Sequence, residues 1–341
     1  VDYIDIDLPE SIITKNQIMM LDILANNNWE RPIYFTGGSY EESEYIWMKD
    51  YLQLDGLVYK LVPIKTSIEN NPYEMGRIDS DLMYDIVKKW SWGNSESDKI
   101  YHDPETRKNS ISFRSNLSRL SEVLISEGKF KEAEEIIDLA FSKMPIDYYG
   151  YYSLWTPFIQ GYYRIGRDDK AKEIFKKISF KYSDKLNYYS SLEIYNQYDV
   201  GEEIIADIER FRNLIETAQS SGEKDILSDQ IKSFISSSEK FNYIYGEYDY
   251  YISLSGFIIK LLELNEIEYS RVIIDKIEEQ LIRRVSVFSN IDEDDQVYYI
   301  EGITSDINQY SRLINQIEIY DIELYNDYDN NLKEMLGKMI E

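Results

Sequence analysis

The chain offers almost nothing for chemistry built on histidine or cysteine. It has one histidine, His102, and no cysteine. A Ser-His-Asp triad or a His-based zinc site needs more than this one imidazole, which sits in the loop-like stretch Tyr101-His102-Asp103-Pro104. Disulfides, thiolate metal sites and cysteine nucleophiles are excluded; lack of cysteine does not identify a compartment. Two acidic stretches begin like calcium loops. In the first, Asp292, Asp294 and Gln296 are followed by Val297 where Gly is needed and Ile303 where Glu is needed; in the second, Asp327, Asp329 and Asn331 are followed by Leu332 and Lys338. Both read as solvated acids. Thr36-Gly37-Gly38-Ser39 could hold a phosphate between a strand and a helix, but Glu41, Glu42 and Glu44 in the first turn would repel an anion. The stretch reads as a turn plus a cap, compatible with a neutral ligand such as a sugar. Among 63 carboxylates no catalytic pair can be selected from sequence. No catalytic residue, cofactor or metal is therefore assigned.

The better candidates are aromatic. Tyr148, Tyr149, Tyr151 and Tyr152 precede Trp155 and could line a peptide or glycan groove, whereas Trp155 falls on a packing position and reads as core.

Composition narrows the partners. Net charge is −26, with no basic patch, which disfavours nucleic acid and anionic membrane surfaces. Residues 291–341 alone hold 13 Asp/Glu and 3 Lys/Arg, a solvated face or a docking surface for a basic partner. The chain is 43% apolar over 341 residues, enough for a real core, and 14% aromatic, which argues against disorder. The 32 tyrosines are discounted as a functional signal because codon bias can raise their number. The longest charge-free run near the middle, Tyr148 to Tyr163, is 16 residues and too polar to span a bilayer. No signal peptide is evident and the chain opens on Val1, so a longer natural protein is expected.

The elements that must position these residues change character along the chain. Residues 1–76 read as a small α/β module. Tyr3 to Leu8 alternates like a half-buried strand; Thr14 to Gln17 is a capping box before Ile18, Leu21, Leu24 and Ala25; Pro32 to Thr36 is a short strand. Ser39 to Glu42 opens a second helix to about Leu52, and Leu57 to Ile64 is a third strand. Alternating strands and helices predict a short, mostly parallel sheet. Residues 77–109 connect, with a helix over Leu82 to Trp90 and an ordered loop from Trp92-Gly93-Asn94 to Pro104. Residues 110–285 read as tetratricopeptide-like helical repeats, and 286–341 as capping helices. Leu117, Leu120, Leu124, Gly128, Ala133, Ile137, Ala140 and Pro145 make the first unit; Trp155, Phe158, Tyr162, Gly166, Ala171, Phe175 and Ile178 make the second. Two degenerate units follow, around Phe211 to Phe234 and Leu254 to Ile277. The fold class is thus α/β followed by an all-α helical array.

Several segments resemble a known family: Thr14-Lys15-Asn16, Leu21 to Asn27, Trp29, Arg31-Pro32-Ile33-Tyr34-Phe35-Thr36, and Tyr51 to Pro63. Trp92-Gly93-Asn94, Arg107, Arg114 and Arg119-Leu120 continue the pattern. They resemble the C-terminal part of a bacterial family of large multi-span membrane proteins, formerly of unknown function, which are similar to the animal protein O-mannosyltransferase-like membrane proteins. The likeness is dense over about residues 12–145 and thin beyond. It implies an upstream membrane glycosyltransferase-type domain using a lipid-linked sugar, with the catalytic residues there. It further implies that this chain is a soluble extracytoplasmic tail, on the periplasmic side in a bacterium.

The leading expectation is a non-catalytic recognition tail that holds an acceptor protein or partner, with a protein, a peptide or a glycan as the partner classes. A free-standing repeat adaptor binding a peptide is the second reading. An enzyme with its site in the α/β module is the third.

Overall fold

A computed structural model of the chain describes residues 4–7, 12–36, 46–66, 75–220 and 224–340. The first elements are α1 (Lys15–Asn27), β1 (Tyr34–Thr36), a 3-10 segment (Ile46–Tyr51), β2 (Leu52–Asp55), β3 (Val58–Leu61) and α2 (Ser80–Lys88). The helices α3 (Pro104–Ser126), α4 (Phe130–Lys143), α5 (Ile146–Tyr149), α6 (Thr156–Arg164) and α7 (Asp168–Ser191) follow. The chain divides within α7 into two compact units, Val1–Phe175 and Lys176–Glu341.

In the first unit, α1 starts at the capping box: Thr14 Oγ1 accepts from Gln17 N at 3.3 Å and Gln17 Oε1 accepts from Thr14 N at 2.9 Å. The helix turns Met20 and Leu24 toward the core, while Ile18 is exposed. The sheet has the order β1-β3-β2 and both pairings are antiparallel, which corrects the parallel arrangement expected from alternating elements. The reason lies in Asp55-Gly56-Leu57-Val58. Gly56 sits at φ +75 in a two-residue turn, so β2 and β3 form a hairpin, and a hairpin can join only antiparallel strands. The expected helix ending near Leu52 is replaced, over its described part, by the 3-10 segment and β2. The one parallel pairing among the described residues is the isolated bridge Gln53↔Arg77.

The expected strand at Tyr3–Leu8 is likewise absent over its described part, Ile4–Asp7. Its alternation is real all the same: Ile4 and Ile6 pack on the Met48–Tyr51–Leu52 core, Asp5 and Asp7 point outward, and Asp5 N donates to the Tyr51 hydroxyl at 3.2 Å. The Gly37-Gly38 turn and the Ser39–Glu42 helix start lie outside the described residues, as does Asn70-Asn71-Pro72, whose sequence reads as a break in structure.

The module is fastened to α3 by side chains reaching backbone carbonyls. Asn116 Nδ2 donates to Gly56 O at 2.8 Å, and Arg119 donates to Met75 O at 2.9 Å and Gly76 O at 2.7 Å. α3 begins at Asp103, whose Oδ1 accepts from Thr106 N at 2.8 Å with Pro104 in the first turn. It ends at Gly128, in the left-handed region at φ +76, and Gly166 ends α6 in the same way at φ +73. α3 packs against α4, and Leu117, Leu120 and Leu124 of the first and Ala133, Ile137 and Ala140 of the second are all fully buried or nearly so. α6 packs on both helices. Gly161 is the close approach, since a Cβ there would stand 3.0 Å from Ile137 Cδ1.

The second unit contains the rest of α7, then α8 (Ile194–Asp199), α9 (Gly201–Ser220), α10 (Lys224–Ser238), α11 (Asn242–Tyr245) and α12 (Glu247–Ser253). It continues with α13 (Ser255–Glu263), α14 (Ile267–Ser289), α15 (Glu293–Ile317) and α16 (Ile322–Ile340). α9 pairs with α10, and α13 with α14 through a left-handed Asn265. A run of rings, Tyr182, Phe211, Phe234 and Phe257, threads α7, α9, α10 and α13 with centroids 5.6, 5.4 and 5.1 Å apart. Asp207 is buried, with Lys185 Nζ at 2.5 Å and Arg210 Nη1 at 3.1 Å to balance its charge. Beyond residue 110 the described residues contain no strand.

Candidate functional site

The loop between α2 and α3 carries Trp92-Gly93-Asn94. Trp90, Trp92 and Phe113 of α3 form a three-ring cluster with centroids 5.3 to 5.7 Å apart. The sheet module sets its base, because Trp90 lies against Gly56, where a Cβ would be 3.0 Å from the indole. Gly93 and Asn94 reverse the chain in the left-handed region, at φ +57 and +64. The loop is then strapped to the end of α4. Ser95 Oγ donates to Lys143 O at 2.7 Å, and Lys143 Nζ pairs with Glu96 at 2.7 Å.

The four tyrosines do not form one surface. Tyr149, expected among the binding residues, is buried at 3% exposure, and its hydroxyl donates to Ser95 O at 3.1 Å. Burial holds that phenol above its ordinary pKa. Tyr148 is half-buried and stacks on His102 at 5.3 Å and 7°. His102 Nε2 lies 3.2 Å from Ser97 O, while Nδ1 is buried without a hydrogen-bond partner. Tyr151 is 47% exposed and Tyr152 half-buried. Trp155 is fully buried, stacked on Phe141 at 4.3 Å. Helical periodicity could not sort these rings, because Gly150 (φ +62, ψ −146) and Tyr151 (φ +46) break the period between α5 and α6.

Arg114 holds that corner. Its side chain is fully buried, with Nη1 donating to Gly150 O at 2.7 Å and Nη2 to Ser110 Oγ at 2.8 Å. The guanidinium lies over Trp155 at 5.3 Å and Tyr151 at 5.8 Å. Among the described residues no carboxylate pairs with it, so carbonyl dipoles and ring faces replace a counter-ion; burial pulls its pKa down to about 10. Arg107, one turn into α3, is half-buried with its Nε unpartnered. Arg31 and Pro32 are exposed ahead of β1, and Asn27 Nδ2 donates to Arg31 O at 2.8 Å; they take no part in the Trp92 cluster.

Two concavities flank Trp92. One, of about 220 Å³, lies between the loop and α3 and is lined by Trp92, Phe113, Tyr149, Ser91, Thr106 and Asn109 among others. The other, of about 490 Å³, has Lys88, Glu96 and Lys143 at its edge. Phe113, Thr106 and Asn109 were not singled out in the sequence, although their spacing puts all three on one face of α3, facing the Trp-Gly-Asn turn. Among the described residues no cluster of three His, Asp or Glu is placed to hold a metal, and no helix is long and apolar enough to cross a membrane.

Comparison with curated proteins and with solved structures finds no match. A family model does match: residues 1–82, the sheet module and the start of α2, are similar to the family described as TMEM260-associated domain 2.

Proposed function

We propose that the chain is a non-catalytic recognition domain of a membrane glycosyltransferase-like protein, placed on the extracytoplasmic side, which is periplasmic in a bacterium. It holds the acceptor protein near the membrane site of transfer. The observation that carries this reading is the match of residues 1–82 to TMEM260-associated domain 2, in the segment where the sequence resembles protein O-mannosyltransferase-like proteins. The helical hairpins that follow support it, since paired helices present broad faces for protein contacts.

Tyr148, Tyr151 and Tyr152 are the residues for that contact. Tyrosine gives a large contact area at low entropic cost and keeps a polar tip. Arg114 fixes the Gly150–Tyr151 backbone and so presets the exposed ring. A net charge of −26 favours a neutral or basic acceptor surface.

The test uses the full-length parent and a labelled lipid-linked sugar donor. Tyr151→Ala combined with Tyr152→Ala should raise KM for a folded acceptor protein about tenfold, the effect of losing one contact of about 1.4 kcal/mol. Transfer to a short Ser/Thr peptide should be unchanged. An unchanged KM for the protein acceptor would refute the recognition role. Transfer by the 341-residue chain alone would refute the non-catalytic assignment.

A further inference from the structure

We propose that the cleft between Trp92 and α3 is a binding site for one neutral hexosyl unit. This goes beyond the recognition of a protein acceptor and stands on the cleft's own chemistry. Three observations combine.

The first is the wall. Trp92 is half-buried, and with Phe113 it gives the cleft an aromatic side whose rings are locked at 5.7 Å and 51°. Trp90 backs both rings, at 5.6 Å from Trp92 and 5.3 Å from Phe113, and is itself seated on Gly56. The apolar C–H face of a pyranose stacks on such a surface, and a preset ring loses little entropy on binding.

The second is the polar lining. Ser91, Thr106 and Asn109 stand around the ring face, and neither Ser91 nor Asn109 spends its side chain on a hydrogen bond among the described residues. A hydroxyl and a carboxamide can each donate and accept, which matches vicinal sugar hydroxyls. The opposite wall is fixed, because the Tyr149 hydroxyl and Ser95 Oγ are both committed to backbone carbonyls.

The third is charge. In a chain of net −26, none of the described residues that line this cleft is Asp, Glu, Lys or Arg. The charged residues beside Trp92, Lys88, Glu96 and Lys143, edge the concavity on its other side. A neutral polyol can enter without an unpaired charge being buried, whereas an acidic sugar meets the field of the chain. The volume of about 220 Å³ is below that of pockets for drug-sized ligands and suits a single ring.

The experiment titrates the 341-residue chain with neutral methyl hexosides and with methyl glucuronide, read by tryptophan fluorescence and ligand-observed saturation-transfer NMR. Saturable binding of a neutral hexoside is expected, weakened at least tenfold by Trp92→Ala and largely restored by Trp92→Phe. Asn109→Ala, an exposed change that leaves the fold intact, should weaken it about fivefold, the worth of one net hydrogen bond. A peptide bearing one O-linked hexose should compete with the hexoside and its unglycosylated form should not; competition by both would place the peptide, not the sugar, in the cleft and overturn the proposal. So would absence of saturable binding of every neutral hexoside, equal binding of the glucuronide, or binding unaffected by both Trp92→Ala and Asn109→Ala.

Discussion

Replacing Gly161 by Leu tests the packing of α6 on the α3/α4 hairpin. A Cβ at this position would lie 3.0 Å from Ile137 Cδ1 and 3.5 Å from Ile125 Cδ1, and both isoleucines are buried. Leucine adds three further carbons to a Cβ that Ile137 and Ile125 already crowd. Removing a helical glycine gains about 1 kcal/mol from backbone entropy, while overpacking a closed site costs about 1–3 kcal/mol. With four carbons to place, the upper end applies, about 3 kcal/mol, and the net loss is about 2 kcal/mol. For a cooperative unit of about 175 residues this lowers Tm by about 4–8 °C. Gly302 is the control. It is helical and exposed, and a Cβ there meets nothing within 4 Å, so Gly302→Ala should gain about 1 kcal/mol and raise Tm. Calorimetry or circular dichroism on the three proteins separates the cases. A Gly161→Leu protein melting at or above wild type would refute this close approach of α6 to α4.

Three other outcomes are expected. Gly150→Ala should cost about 1–3 kcal/mol by chemical denaturation, from backbone strain alone: φ +62, ψ −146 suits only glycine and nothing lies within 4 Å of the added Cβ. Arg114→Met loses two short charge-assisted hydrogen bonds worth about 1.5–3 kcal/mol each and regains the cost of burying the charge, about 3 kcal/mol for a pKa pulled down to about 10; a net loss of about 0–3 kcal/mol, centred near 1.5, should appear in the same assay. Glu278 of α14 is pushed above its ordinary pKa by burial, against hydrogen bonds from Tyr310 and Asn331 that act the other way. The folded state therefore keeps this proton at pH values where the unfolded chain has lost it, and stability falls as pH rises through the raised value. Glu278→Gln, which keeps an acceptor for Tyr310, should flatten that fall: more stable than wild type near pH 7, with the advantage gone near pH 4. Equal pH dependence in both proteins would argue against a buried carboxylate at this position.

Recognition of the parts was uneven for physical reasons. The paired helices were legible because their signals are local: apolar residues at helical spacing from Leu117 to Ala140, and glycines where the chain must turn left-handed at 128 and 166. The antiparallel sheet was also written in the sequence. Asp55-Gly56 between apolar runs is a hairpin signal, but extending a helix to Leu52 concealed β2 and left Leu57 to look like the end of a crossover. The alternation at Ile4–Asp7 was a true burial pattern without a strand, because one half-buried face needs only a neighbour to pack on and not a ladder partner.

The candidate site was legible only as a set of residue types. Sequence pointed to Trp92-Gly93-Asn94, to Arg114 and to four tyrosines, and it excluded thiolate and multi-histidine chemistry outright because those side chains are absent. Which tyrosine faces water was settled by the Gly150–Tyr151 corner and by a hydrogen bond from Tyr149 to Ser95, a residue 54 positions away. That Arg114 is a buried clamp depends on carbonyls 36 residues distant, and that Trp92 walls a neutral cleft depends on Phe113 and Gly56 arriving from two other elements. Helix and turn are decided within a few residues and can be read from them. Burial of a charge, exposure of a ring and the lining of a cleft are decided by distant segments meeting, and only the tertiary structure brings them together.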